Sequence, residues 1–198
     1  MARIVVGIGG GIAAYKVATV VSRLAQVQKK HPDAPEPGAA NATEPQAAAH
    51  AVQVVLTRGG NHFVGAATFA ALCGSTPVTD TYDSRFPLGA HIELAEQADL
   101  LVIAPATARL LASCAHGTAD DLLATLYLAC ECPVLFAPAM SSSMWAKAAV
   151  QRNVQQLQQD GAHFVGPESG WLSCRKVGHG RMSEPDALLA EINQLIVS

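Results

Sequence analysis

Residues with chemical potential gather in four short stretches of this chain. The first, FAPAMSSSMW (Phe136 to Trp145), is an apolar run that stops at Pro138 and opens into Ser141, Ser142 and Ser143 before Met144 and Trp145. Hydroxyls placed there can donate to a ligand or cap a helix beginning near Met144, and the residue types leave both uses open. The second, GWLSCRKVGHGRM, sets Cys174 among glycines and cations, where nearby positive charge favours a thiolate. In the third, GAHIELAEQADL, His91 opens a short helix whose Ile92 and Ala95 are expected to face inward and whose Glu93 suits the positive helix end. Taken alone, a histidine there reads as structural before it reads as catalytic. The fourth, VVGIGGGIAAYK, passes from strand to helix through Gly7, Gly9, Gly10 and Gly11, a run that lets backbone N–H groups approach an anion such as a phosphate. A tight strand-to-helix turn is the plainer alternative.

The glycine run half-matches the dinucleotide pattern at Gly9, Gly11 and Ala14. The next strand, however, ends in LTRGG without the acidic residue that holds a ribose diol, which disfavours NAD and leaves NADP open only through Arg58. LVIAPATA ends at Pro105 with Thr107 just beyond, and LFAPAMSSS ends alike, so two strands close on small ledges suited to a flat ring. The tail PESGWLSCRKVGHGRMSEP brackets Trp171, Leu172 and Cys174 with Gly170, Gly178 and Gly180. It reads as a hinged flap over 170–183, the alternative being a surface loop anchored by a buried Trp171.

Certain elements must position these residues. Apolar runs RIVVGI, VQVVLT, LLVIA, VLFA and HFVG alternate with helix-like segments at Ile12 to Gln28, Ile92 to Gln97, Thr107 to Ala115, Ala119 to Cys130, Met144 to Gln159 and Pro185 to Val197. That alternation predicts the α/β class, a Rossmann-like parallel sheet with helices on both faces. Ligands of such sheets bind beyond the carboxyl ends of the strands, where VVGIGGGIAAYK, LVIAPATA and LFAPAMSSS fall. With 198 residues, 50% of them apolar, the chain fits one domain over 1–198. KKHPDAPEPGAANATEPQAAAH, residues 29–50, reads as a mobile surface insertion with no catalytic role.

A net charge of −3, from 13 basic and 16 acidic residues scattered along the chain, excludes a basic stripe for nucleic acid. No run approaches the roughly 20 apolar residues of a membrane span, and MARIVVGIGG is unlike a signal peptide, so a cytoplasmic protein is expected. The 5 cysteines contain no CxxC pair; four are expected in the core, with Cys174 apart. The 7 histidines show no ligand spacing, and no metal site is expected.

GIGGGIAAYK, HIELAEQADLLVIAPATA, AHGTADDLL, PAM…MW and PESGWLSC…GHGRMSEP follow one another in an order and spacing that resembles the homo-oligomeric flavin-containing cysteine decarboxylases, over nearly the whole chain except 29–50. Within that family the resemblance is greatest to the branch acting on 4′-phosphopantothenoylcysteine in coenzyme A biosynthesis. It implies an FMN held between subunits of a homotrimer or dodecamer. The phosphate would lie at Gly9, Gly10, Gly11 and Ile12 and near Thr57, the ring against Pro105, Ala106 and Thr107, with Phe63 and Met140 also in contact. It further implies oxidation of the cysteinyl side chain to a thioaldehyde, loss of CO₂ to an enethiolate, and return of the hydride to give 4′-phosphopantetheine. His91 would assist the oxidation and Cys174 would donate the final proton. The family's Pro-Ala-Met-Asn reads Pro-Ala-Met-Ser here, so Ser141 takes the place of an asparagine that holds the substrate carboxylate. Arg109 and Leu110 replace Asn-Thr, and Arg175 and Lys176 replace Gly-Asp. A non-catalytic FMN-binding subunit, or a decarboxylase of another cysteinyl substrate, is the alternative.

Overall fold

The computed structural model describes residues 1–26 and 50–197. The expected insertion at 29–50 therefore lies outside the described residues, save His50. The elements run β1 (Arg3–Ile8), α1 (Ala14–Gln26), β2 (Ala51–Leu56), α2 (Arg58–Asn61), α3 (Ala66–Cys73), α4 (Ala90–Gln97), β3 (Leu100–Ala106) and α5 (Ala108–Ala115). They continue with α6 (Leu122–Ala129), β4 (Val134–Pro138), α7 (Ser142–Trp145), α8 (Ala148–Gln159), β5 (His163–Phe164), β6 (Glu168–Trp171), β7 (Val177–Arg181) and α9 (Pro185–Val197).

Five parallel strands form one sheet in the order β2-β1-β3-β4-β5. The chain steps outward from β1 to β2 and then crosses back over β1 to β3, so the strand order reverses between β1 and β3. A crevice opens at such a reversal, beyond the carboxyl ends of the two strands. The glycine run leaves β1 there, and Pro105 to Thr107 leaves β3. Both faces of the sheet are buried. Val6 and Ile8 point into a core shared with Val17, Val21 and Leu188, while Val5 points into a second core with Leu101, Ile103 and Leu123. Strand β3 is buried at every position, the mark of a central parallel strand.

The α/β expectation holds, with local departures. The expected helix from Met144 to Gln159 is two helices, because Lys147 is extended (φ −68°, ψ 131°) and interrupts the turn. The segment expected from Ala119 begins instead at Leu122, where the Asp121 side chain accepts the Ala124 N–H. Helices α2 and α3 were not foreseen: the first is a single turn, and the second, AATFAALC, buries only Phe69 and carries little periodic signal. The tail forms an antiparallel hairpin of β6 and β7, apart from the main sheet.

That hairpin ends in a tight tip where Leu172 N–H donates to the Lys176 carbonyl (2.9 Å) and Arg175 N–H to the Leu172 carbonyl (2.9 Å). Arg175 sits at φ 61°, the left-handed region that costs a residue with a Cβ about 1–2 kcal/mol relative to glycine. Arg175→Gly is therefore expected to slow amide exchange at Leu172 about fivefold in hydrogen-exchange mass spectrometry, the equivalent of about 1 kcal/mol.

Candidate functional site

Two cavities flank the glycine loop. One, of about 450 Å³, is walled by Gly11, Ile12, Lys16, Met140, Ser141 and Cys174, among others. The other, of about 560 Å³, is walled by Thr57, Arg58, Gly59, His62, Arg109 and Asp121, among others. Both volumes are in the range of small-molecule sites. Between them, Gly10 lies so close to Gly59 that a Cβ on Gly10 would stand 2.9 Å from the Gly59 Cα.

Why the loop contains glycines differs from position to position. A Cβ on Gly7 would meet Leu123 Cδ1 at 2.3 Å, and one on Gly9 would meet the Pro105 carbonyl oxygen at 2.1 Å. Those glycines, with Gly10, are needed for the chain to pack on itself whether or not an anion is bound. Gly11 is different, because its nearest neighbour would be Pro105 Cγ at 3.6 Å, an ordinary contact. Next to it, the N–H groups of Ile12 and Ala13 have no backbone acceptor among the described residues, since α1 starts only at Ala14. Free donors at the start of a helix beside a cavity are what an anionic group requires.

The hydroxyls follow one rule. Thr57, Thr107 and Ser141 each leave a strand in extended conformation and accept an N–H of the following helix: Gly60 (3.0 Å), Leu110 (3.3 Å) and Met144 (3.4 Å). The buried Thr57 hydroxyl also donates to the Ile8 carbonyl at 2.7 Å, so its donor is spent. Ser141 is within 3.1 Å of the Ser143 hydroxyl and still lines the smaller cavity, so one serine caps and faces the cavity at once. Ser142 has a packing role, because a Cβ on Gly178 would meet its Oγ at 2.2 Å.

The hairpin is docked on this serine loop. Met140 N–H donates to the Gly180 carbonyl at 2.9 Å, and a Cβ on Gly180 would lie 2.4 Å from the Met140 carbonyl oxygen. Gly178 and Gly180, expected as hinges, are thus sites of close approach. Leu172 is the buried wedge of the hairpin, whereas Trp171, expected as a buried anchor in the alternative reading, is 62% exposed. Cys174 stands exposed at the tip and lines the smaller cavity.

His91 is not in either cavity. It is the second residue of α4, whose Ala90, Leu94 and Ala95 belong to the core on the opposite sheet face from α1. Its Nδ1 is buried with no hydrogen-bond partner among the described residues. Glu93 accepts the Leu88 N–H at 2.9 Å, and Ile92, expected inward, is 39% exposed. Phe63, 49% exposed, lines neither cavity; Pro105 and Ala106 are buried in the end of β3 and likewise line neither. Arg109 pairs with Asp120 at 2.7 Å and with Asp121 at the rim of the larger cavity, an arrangement the sequence reading missed.

The cysteines also differ from expectation, since only Cys114 is in the core while Cys73, Cys130 and Cys132 are half-buried. Burial, reinforced by the Asp121 charge, pushes the Cys114 thiol up to about 12. A hydrogen bond from Cys130 holds the Cys132 thiol below its ordinary value and Cys130 above it. Iodoacetamide at neutral pH is accordingly expected to modify the exposed Cys174 readily and to leave Cys114 unmodified in the folded protein, as read by peptide mass spectrometry. The described residues contain no cluster of three or more His, Cys, Asp or Glu side chains able to hold a metal ion, and no helix long and apolar enough to cross a membrane.

The chain is similar to proteins named coenzyme A biosynthesis bifunctional protein CoaBC. It is 42% identical over 186 residues to that of Mycobacterium tuberculosis, covering 94% of this chain and 39% of the relative. It is 38% identical over 183 residues to that of Bacillus subtilis, covering 92% and 40%. The chain thus spans about two-fifths of the length of these relatives. Among solved structures it superposes on the FMN-dependent cysteine decarboxylase SpaF with a TM-score of 0.79 and 32% identity, covering 100% of this chain and 96% of that one. It also superposes on a PPC decarboxylase variant complexed with pantothenoylaminoethenethiol, at a TM-score of 0.79 and 23% identity, which establishes likeness of fold. A family model described as Flavoprotein matches residues 1–197, and with the glycine loop, the strand-end ledges and the crevice between them in place, the chain belongs to the flavoprotein family.

Proposed function

We propose that this chain is an FMN-dependent decarboxylase that converts 4′-phosphopantothenoylcysteine to 4′-phosphopantetheine, acting in the cytoplasm as a homotrimer or dodecamer. The observation that carries the reading is the smaller cavity, which brings Gly11, Ile12, Met140, Ser141 and Cys174, from three separate segments, to one place. The names of the relatives supply the chemistry: coenzyme A biosynthesis for those similar in sequence, and FMN-dependent cysteine decarboxylation for SpaF.

The residues present fit FMN. The unbonded N–H groups of Ile12 and Ala13 suit its phosphate, and the exposed Ile12, Tyr15 and Trp171 beside the cavity offer apolar surface to its ring. When bound, FMN accepts and returns two electrons, which gives the carbon next to the substrate carboxylate a place to send electrons as CO₂ leaves. The protein orients and moves protons. Ser141 donates to the substrate carboxylate, Cys174 closes over the cavity on the 168–181 hairpin and delivers the last proton, and His91 takes a proton during oxidation. Because α4, which carries His91, packs on the other sheet face, and the buried His91 Nδ1 has no partner among the described residues, it meets the substrate of a neighbouring copy.

A second reading, an FMN-binding subunit without turnover, is favoured by one observation: the Ser141 hydroxyl is already engaged as a helix cap. Incubation of the purified yellow protein with 4′-phosphopantothenoylcysteine, with CO₂ and 4′-phosphopantetheine measured, separates the two. Product at a catalytic rate supports decarboxylation; bound FMN without any CO₂ refutes it.

A further inference from the structure

Lys16 is a buried cation that the decarboxylation reading does not use. It lies on α1 just beyond Gly11 and Ile12, lines the smaller cavity, and has a side chain only 10% exposed. A buried ammonium is stable only if its hydrogens are taken up by well-placed acceptors. Its Nζ donates to the Met182 carbonyl at 3.3 Å and to Glu184 Oε1 at 2.9 Å, both in the segment between β7 and α9. Arg181, the last residue of β7, donates to the same Glu184 oxygen and lies 3.9 Å from Glu168 Oε2 at the start of β6. Arg181 therefore ties both stems of the hairpin, its own β7 and Glu168 of β6, to the Glu184 carboxylate, and α1 anchors that carboxylate through Lys16. The Glu184 carboxyl is held below its ordinary range, first by the hydrogen bond from Lys16.

We propose that Lys16 is a positioning residue: through Glu184 and Arg181 it seats the hairpin stems over the cavity and so places Cys174 at the cavity wall. The link to product rests on the decarboxylase reading, whereas the seating stands without it. Lys16→Met removes the ammonium but keeps an unbranched chain in its slot, and the half-exposed Glu184 can turn to solvent, so the fold is expected to survive.

The test uses the full chain with its FMN. Trypsin cuts after Arg175 and Lys176 at the exposed tip, and mass spectrometry follows the nick. Lys16→Met is expected to be nicked about tenfold faster than the wild type, because proteolysis tracks the population of the open hairpin. With 4′-phosphopantothenoylcysteine, the same variant is expected to release a share of unsaturated thiol about tenfold above the wild type. Lys16→Arg, which keeps charge and reach, restores both. Nicking at the wild-type rate overturns the proposal, and faster nicking with an unchanged product ratio overturns the link to Cys174. Should Lys16→Met fail to fold, Glu184→Gln decides: several-fold faster nicking supports the latch and an unchanged rate overturns it. An inactive wild type would refute the decarboxylase reading and leave the nicking result to judge the seating alone.

Discussion

Cys174→Ser is expected to keep releasing CO₂ while the yield of 4′-phosphopantetheine falls about 10²-fold or more, the usual contribution of a positioned proton donor. The residue stands at the hairpin tip and lines the cavity, so it is placed to reach a substrate bound there. A serine hydroxyl has nearly the same shape but is a far weaker acid. Oxidation and loss of the carboxylate should therefore run as before, and the chain should stall at an unsaturated thiol. Chromatography with mass detection distinguishes that product, two hydrogens lighter, from the saturated one. Wild-type yields of the saturated thiol would falsify the acid role of Cys174.

Gly9→Ala should be damaging in another way. Its Cβ would stand 2.1 Å from the Pro105 carbonyl oxygen and 2.8 Å from Leu110 Cδ1, and the first of these is backbone of the central strand. Relief would require β1 and β3 to separate at the crevice. Overpacking of this kind costs about 3 kcal/mol, a fall in Tm on the order of 10 °C for a chain of this size, with flavin lost on purification. Gly11→Ala, whose nearest neighbour is Pro105 Cγ at 3.6 Å, should by contrast fold with nearly unchanged Tm, and any loss of yellow colour in that variant reports on the ligand alone. Thermal melting and the flavin absorbance of the purified variants separate the two effects.

The sheet was legible because its strands are buried on both faces and read as unbroken apolar runs; VLFA needed no partner in sequence to be recognised. The hairpin was not legible, because ESGW and VGHGR are short, glycine-rich strands that dock on Met140 and Ser142, distant in sequence. Ser141 was ambiguous for a physical reason: a cap and a ligand donor have the same side chain, and only coordinates show that one hydroxyl occupies both settings. The glycine run was ambiguous in the same way, since a residue without a Cβ looks the same in sequence whether an anion or the Pro105 carbonyl lies above it, and only the coordinates set Gly9 apart from Gly11. Lys16 passed unnoticed because nothing within one helix announces a partner 168 positions away.

His91 and Cys174 lie on opposite sides of one sheet, so in the assembly proposed above the base and the acid serving a single substrate belong to different chains. Specific activity then follows the fraction of chains in contact, and falls on dilution below the dissociation constant of the assembly even though every monomer stays folded. Mixed assemblies of a chain lacking only His91 with a chain lacking only Cys174 would regain intact sites at some of their junctions, a complementation that a self-sufficient monomer could never show.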